Sequence, residues 1–183
     1  SPCLAVVLVG DDPASQVYVA HKEKACTHVG IKSKIFRLSK EISQTKLLSL
    51  IEDINTDEAI DGLLVQLPLP EQIDSWQIIQ AINPKKDVDG LTPHSQGLLA
   101  WGKKGFIPCT PLGILKLLES LEIELSGKKV AIIGRSILVG ASLAKLLTHK
   151  DMTVSLLHSR SKTPKKITKE AEIVIACAGV KHL

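Results

Sequence analysis

Six strand-length apolar runs recur along the chain, and helical patterns stand between them: Leu4–Val9, Lys34–Leu38, Gly62–Gln66, Lys129–Ile133, Thr153–Leu157 and Glu172–Ala176. A strand, a helix and a further strand close a parallel sheet, with helices covering its faces. The repeated unit predicts an α/β fold of two parallel-sheet domains, over residues 1–112 and 113–183.

Turn chemistry divides the runs. Gly10-Asp-Asp-Pro13 ends the first strand, and a helix is expected over Ala14–Val29. Ser43 can cap a helix running to about Ile54. Leu67-Pro-Leu-Pro70 stops the strand before it, because proline cannot donate to a sheet. Helix is expected over Ile73–Ile82, followed by a charged loop, Lys85-Lys-Asp-Val-Asp-Gly90. Thr110-Pro111 reads as a capping hydroxyl with proline at the first helical position, opening a helix to about Leu121 that joins the halves. A further helix follows Gly140 to about His149.

Charge is uneven. Residues 1–112 hold 11 Lys/Arg against 13 Asp/Glu, a net −2, and residues 113–183 hold 12 against 6, a net +6. The basic half suggests an anionic ligand. Aromatics at 3% offer few stacking platforms, so nucleic acid is not the expected partner. No run approaches the roughly 20 apolar residues that span a bilayer, and no membrane association is expected. Cys3, Cys26, Cys109 and Cys177 lack metal-ligand spacing, as do the six histidines, so no metal is expected. The cysteines read as buried thiols of a reducing compartment, which places the protein in the cytoplasm. The chain starts at Ser1 without methionine and stops just after a strand pattern, as a fragment would.

Three polar features fall where strands of the first half end, the place where parallel sheets hold ligands. The first is Lys22. At ~100° per residue, Ser15, Tyr18, Lys22, Ala25, Cys26 and Val29 share one helix face, expected to turn inward. Either the lysine stem reaches out to solvent, or the amine is desolvated, with a lowered pKa suited to proton transfer. The second is Gln66, alone on an otherwise apolar strand; the third is Asp87-Val-Asp89. Each also reads blandly: Gln66 as satisfying local backbone, Tyr18 as a core aromatic, the two acids as a solvated turn.

In the second half Gly134-Arg-Ser-Ile-Leu-Val-Gly140 lies between strand and helix. Such a turn can hold a dinucleotide pyrophosphate against backbone N–H groups. Ser136 takes the middle glycine's place. The next strand ends in His158-Ser-Arg-Ser-Lys162, with no acid for ribose hydroxyls, and Arg135 and Arg160 could face a 2′-phosphate. NADP is the expected cofactor. An ordinary α/β half with a solvated basic edge would show the same bare pattern.

Together these stretches resemble the bifunctional methylenetetrahydrofolate dehydrogenase/methenyltetrahydrofolate cyclohydrolase family. The similarity rests on Val9–Lys22, Val65-Gln-Leu-Pro-Leu69, Lys86-Asp-Val-Asp-Gly90, Pro108-Cys-Thr-Pro111, Gly134-Arg-Ser136 and Val139-Gly140, in the family's order. It implies oxidation of 5,10-methylenetetrahydrofolate with NADP, then hydrolysis of the methenyl product to 10-formyltetrahydrofolate, in one-carbon metabolism. It implies Lys22 as the catalytic lysine and Tyr18 as the residue packed on the folate. Gln66 would hold and tune Lys22, Val65 and Leu67 would line the same wall, and Asp89 would bond the pterin. NADP would be held by Gly134, Arg135, Ser136 and Ser159. A folate-binding first domain, a Rossmann-like NADP-binding second domain that is incomplete in this chain, and a homodimer follow by the same resemblance. The family continues past this chain's end, and Ala176-Cys-Ala-Gly179 is a loose version of its strand end. Two other readings stand beside it: a two-domain NADP dehydrogenase of shikimate type, which would not need Tyr18, Lys22 and Gln66 together, and a non-catalytic NADP- or folate-binding module.

Overall fold

The computed structural model describes residues 1–179. These form two compact units that divide at Pro93/His94.

The first unit opens with β1 (Cys3–Val9), α1 (Pro13–His28), β2 (Lys32–Leu38), α2 (Gln44–Thr56), β3 (Gly62–Val65) and α3 (Ser75–Ala81). Its sheet has the order β2-β1-β3, and both pairings are parallel. β1 is buried along nearly its whole length, as its unbroken apolar run requires of a central strand. One face packs Ala5, Val7 and Val9 against Leu47 and Ile51 of α2 and Ile78 of α3. The other packs Val6 and Leu8 against Val19 of α1.

The second unit holds α4 (Pro93–Ala100, starting at the boundary), α5 (Cys109–Glu119), β4 (Lys129–Ile133), α6 (Gly140–Thr148), β5 (Thr153–Leu157), α7 (Pro164–Glu170) and β6 (Ile173–Ala176). Its sheet repeats the plan as β5-β4-β6, again all parallel. Val130 and Ile132 pack with Leu143 and Leu147 of α6 and Leu115 and Leu118 of α5. β6 is an edge strand here and leaves Val174 exposed.

Several expectations shift. The division falls at 93/94 rather than 112/113, because α4 is tied into the second unit: Gln96 bonds Ser142, and His149 Nε2 meets the Leu99 carbonyl at 3.0 Å. α5 therefore lies within that unit. Thr110 is not its cap. The cap position is Pro108, and Thr110 and Pro111 sit inside the first turn, where a missing N–H costs no helical bond. α3 begins at Ser75, since Asp74 accepts from the Trp76 and Gln77 amides. Cys109 is exposed, whereas Cys3 and Cys26 are buried; all four cysteines are free thiols. Among the described residues no helix is long and apolar enough to cross a membrane, and no cluster of His, Cys, Asp and Glu could hold a metal.

The 85–90 loop is not a solvated turn. Asp87 is 1% exposed, and its carboxylate accepts from the amides of Leu91 (3.1 Å) and Thr92 (2.9 Å). Lys86 Nζ donates to the Ile54 and Asp57 carbonyls at the end of α2, at 2.8 and 2.7 Å, where a cation also meets the negative end of the helix dipole. Asp87→Ala removes the carboxylate that accepts from two buried amides, so it is expected to cost about 2–4 kcal/mol, with a smaller loss for Asp87→Asn. Urea denaturation followed by circular dichroism measures both. An unchanged Asp87→Ala midpoint would contradict this anchoring role.

Candidate functional site

In both sheets the chain leaves the central strand toward one neighbour and returns to its other side, which makes a switch point at the strand's carboxyl end. Gly10 follows β1 and donates to the Leu38 carbonyl at 2.9 Å; Gln66 follows β3 and donates its amide to Val7 at 2.9 Å. In the second unit Gly134 likewise bonds Leu157 (2.9 Å), and Cys177 bonds Ile133 (2.8 Å), the last residue of β4, where Val7 stands two residues before the end of β1.

At the first switch point Asp12 caps α1 by accepting from the Ser15 amide at 2.8 Å, and Pro13 takes the first helical position. Ser15, Val19 and Cys26 are the buried residues of this helix. On a ~100° wheel they lie within ~40° of one another, and Lys22 falls ~20° beyond that arc. Tyr18, Ala25 and Val29 lie further round and are exposed, Tyr18 by 59%, so the inward face is narrower than the sequence suggested. Lys22 is part-buried on its margin.

Lys22 Nζ donates to Gln66 Oε1 at 3.0 Å, across 44 residues of chain. The Gln66 amide nitrogen donates to the Leu67 carbonyl at 2.8 Å. The reverse orientation would set NH₂ against the ammonium and oxygen against oxygen, so the two bonds fix the amide. Asp89 joins them. Burial raises its carboxyl above the ordinary range, the Lys22 charge opposes that rise, and Asp87 adds to it. Behind Gln66, Val65 is 2% exposed within the core, and Leu67 packs part-buried on the same cluster. Lys22 and Gln66 thus form one hydrogen-bonded pair, with the Asp89 carboxyl near enough to feel the Lys22 charge and the exposed Tyr18 ring one helical turn before Lys22.

At the second switch point Gly134, Arg135, Ser136 and Ser159 all line one cavity of about 610 Å³. Both glycines are required. Gly134 has φ +120°, and a Cβ there would lie 2.9 Å from the Cys177 backbone; at Gly140 a Cβ would lie 1.8 Å from the Gly134 carbonyl oxygen. The loop is braced from beneath. Ser142 Oγ donates to the Ile137 carbonyl (2.5 Å), Gln96 Nε2 donates to Ser142 Oγ (3.1 Å), and Lys145 Nζ donates to Gln96 Oε1 (2.8 Å). Burial lowers the Lys145 amine below its ordinary range. Bare loop backbone beside hydroxyls and a guanidinium suits a phosphorylated ligand.

Sequence reasoning missed much of this cavity. Arg160 does not line it, whereas His158, Ser161, Pro164, Lys165 and Thr168 do. The last three belong to α7, for which Pro164 was the available start signal. Lys165 and Thr168 then share a face at i, i+3.

Two family models match the chain: the tetrahydrofolate dehydrogenase/cyclohydrolase catalytic domain over residues 1–89, and the NAD(P)-binding domain of the same family over 108–183. The chain is 51% identical to the bifunctional protein FolD of Aquifex aeolicus over 183 residues, covering all of this chain and 63% of that protein. The crystal structure of the bifunctional enzyme FolD from Campylobacter jejuni superposes with a TM-score of 0.95 at 47% identity, over 99% of this chain and 64% of that one. A Trypanosoma brucei methylenetetrahydrofolate dehydrogenase-cyclohydrolase, crystallised with NADP and an inhibitor, superposes with a TM-score of 0.93 at 32% identity, covering 98% and 62%. The chain therefore spans just under two thirds of the length of these proteins.

Asp89 gives a signed pH prediction. A carboxyl raised by folding costs stability as the pH climbs through its folded value, and costs nothing below its unfolded value. Asp89→Asn is therefore expected to resist urea better than wild type at pH 7, with the advantage shrinking toward pH 4. An equal or lower midpoint at pH 7 would contradict a desolvated Asp89.

Proposed function

Because the chain belongs to the tetrahydrofolate dehydrogenase/cyclohydrolase family, we propose that its protein oxidises 5,10-methylenetetrahydrofolate to the 5,10-methenyl cation with NADP and hydrolyses that cation to 10-formyltetrahydrofolate. The observation that carries this reading is the bond from Lys22 Nζ to Gln66 Oε1 at the first switch point, with Asp89 beside it.

Hydrolysis adds water to the methenyl carbon; one water proton is released and the other passes to N5 as the bond from that carbon to N5 breaks. A general base at the water contributes roughly 10²–10⁴-fold. Lys22 is the group assigned to move that proton at Nζ. Gln66 accepts from the amine through a neutral oxygen, which positions Nζ with no carboxylate bound to it among the described residues. The exposed face of Tyr18 is available to stack on the folate, and Asp89 can meet the N–H groups of a pterin. Val65 and Leu67 support that wall from the core.

The second unit is assigned to the cofactor. NADP, when bound, supplies the hydride acceptor for the oxidation. Gly134, Ser136 and the loop backbone would hold its pyrophosphate, and Arg135 and Ser159 its 2′-phosphate. The glycine cradle that any Cβ would fill fits that group. Folate binding is thus assigned within residues 1–112 and NADP binding within 113–183, with the α4 brace on the cofactor loop coming from residues ahead of the second span.

We further propose a homodimer, which sedimentation would report and a monomer alone would contradict. A cytoplasmic location is consistent with four free cysteines; recovery from a membrane fraction on cell fractionation would contradict it. The direct test of function is assay of the full-length protein with each nicotinamide cofactor. Lys22→Met is expected to lower methenyl hydrolysis by at least about 100-fold while the Kd for NADP stays within experimental scatter. Wild-type hydrolysis in that variant would overturn the role given to Lys22.

A further inference from the structure

Two cations line the cavity of the second unit: Arg135 and Lys165. Among the described residues neither has a carboxylate partner, while the neighbouring Lys166 faces Glu170 at 3.9 Å. Lys165 lines the cavity, and Lys166 pairs along its own helix. The turn that delivers Lys165 is unusual. Thr163 has φ +54°, a left-handed conformation seldom adopted by residues other than glycine. It leads directly into Pro164, which also lines the cavity, as does Thr168 one turn on.

Position decides which part of a dinucleotide Lys165 would meet. The pyrophosphate belongs to the glycine loop after β4. The ribose nearer the adenine belongs to the end of the second strand of the unit, here β5. Ser159, Ser161, Lys165 and Thr168 all follow β5, so Lys165 stands on the ribose side. The loop holds no acid that would seek a free 2′-hydroxyl. We propose that Lys165 is a specificity-determining residue that pairs, together with Arg135, with the 2′-phosphate of the dinucleotide. The proposal rests on the cofactor reading above. It moves the second cation from Arg160, whose backbone amide bonds His158 Nδ1 at 3.2 Å and which does not line the cavity, to the first turn of α7.

The test compares Lys165→Met, Lys165→Arg and Lys166→Met in the full-length protein, by calorimetric titration with NADP, NAD and 2′,5′-ADP. The last carries the 2′-phosphate and no pyrophosphate. Lys165→Met is expected to raise the Kd for NADP and 2′,5′-ADP by about ten-fold and to leave that for NAD unchanged. Lys165→Arg should retain most of the affinity, and Lys166→Met all of it. If wild type prefers NADP and Lys165→Met prefers it as strongly, the role of Lys165 falls and the cofactor reading stands. Equal weakening of NADP and NAD would likewise overturn the 2′-phosphate assignment. A wild type that does not distinguish the two cofactors would overturn both.

Discussion

Parallel pairing of one central strand with a neighbour on each side is the constraint from which both candidate sites follow. In a parallel sheet all carboxyl ends lie at one edge, and reversal of the winding direction at β1 and at β4 opens a gap there that no crossover helix covers. The register then places residues with little tolerance. Val7 pairs with Val65, so Gln66 emerges beside the end of β1, and the helix that follows β1 carries Lys22 toward it. A one-residue slip of β3 would send Gln66 to the opposite face and end the contact.

The two units use the same frame for different chemistry. After β1, a capping aspartate and a proline start α1 after a short turn, and the gap is furnished by long side chains from three elements. After β4, the loop runs from Gly134 to Gly140, and the gap is furnished by backbone. Gln66 and Cys177 stand at equivalent places after the third strand of each sheet. One offers an amide that orients an amine. The other is a small thiol that lets the glycine turn pack against the strand end, its Sγ lying 3.1 Å from where a Gly134 Cβ would be.

Much of this frame is legible in sequence. β4 and β5 coincide with their apolar runs to the end residues, because an apolar run bounded by turn residues carries its own limits. The polar site was legible residue by residue but not as contacts. Lys22 and Gln66 are 44 positions apart, and only the strand register joins them. Asp87 and Asp89 look alike in sequence. One lies wholly inside, held by two amides, and the other stays beside Lys22, a distinction made by tertiary packing. The inward arc of α1 is narrower than its spacing implies, because spacing gives a face but not the width that neighbours cover. α7 left little trace, since a seven-residue basic helix with no buried residue has no apolar period to detect.

The central assignment is that Lys22, held by Gln66, is the amine that works on the folate. A crystal structure of the full-length protein with NADP and a tetrahydrofolate analogue tests it most directly. The analogue is expected against Tyr18, with Lys22 Nζ within hydrogen-bond distance of the one-carbon position, the Gln66 bond intact and Asp89 on the pterin. An analogue bound elsewhere, or a Lys22 turned to solvent with Gln66 unpaired while the ligand is in place, would contradict it.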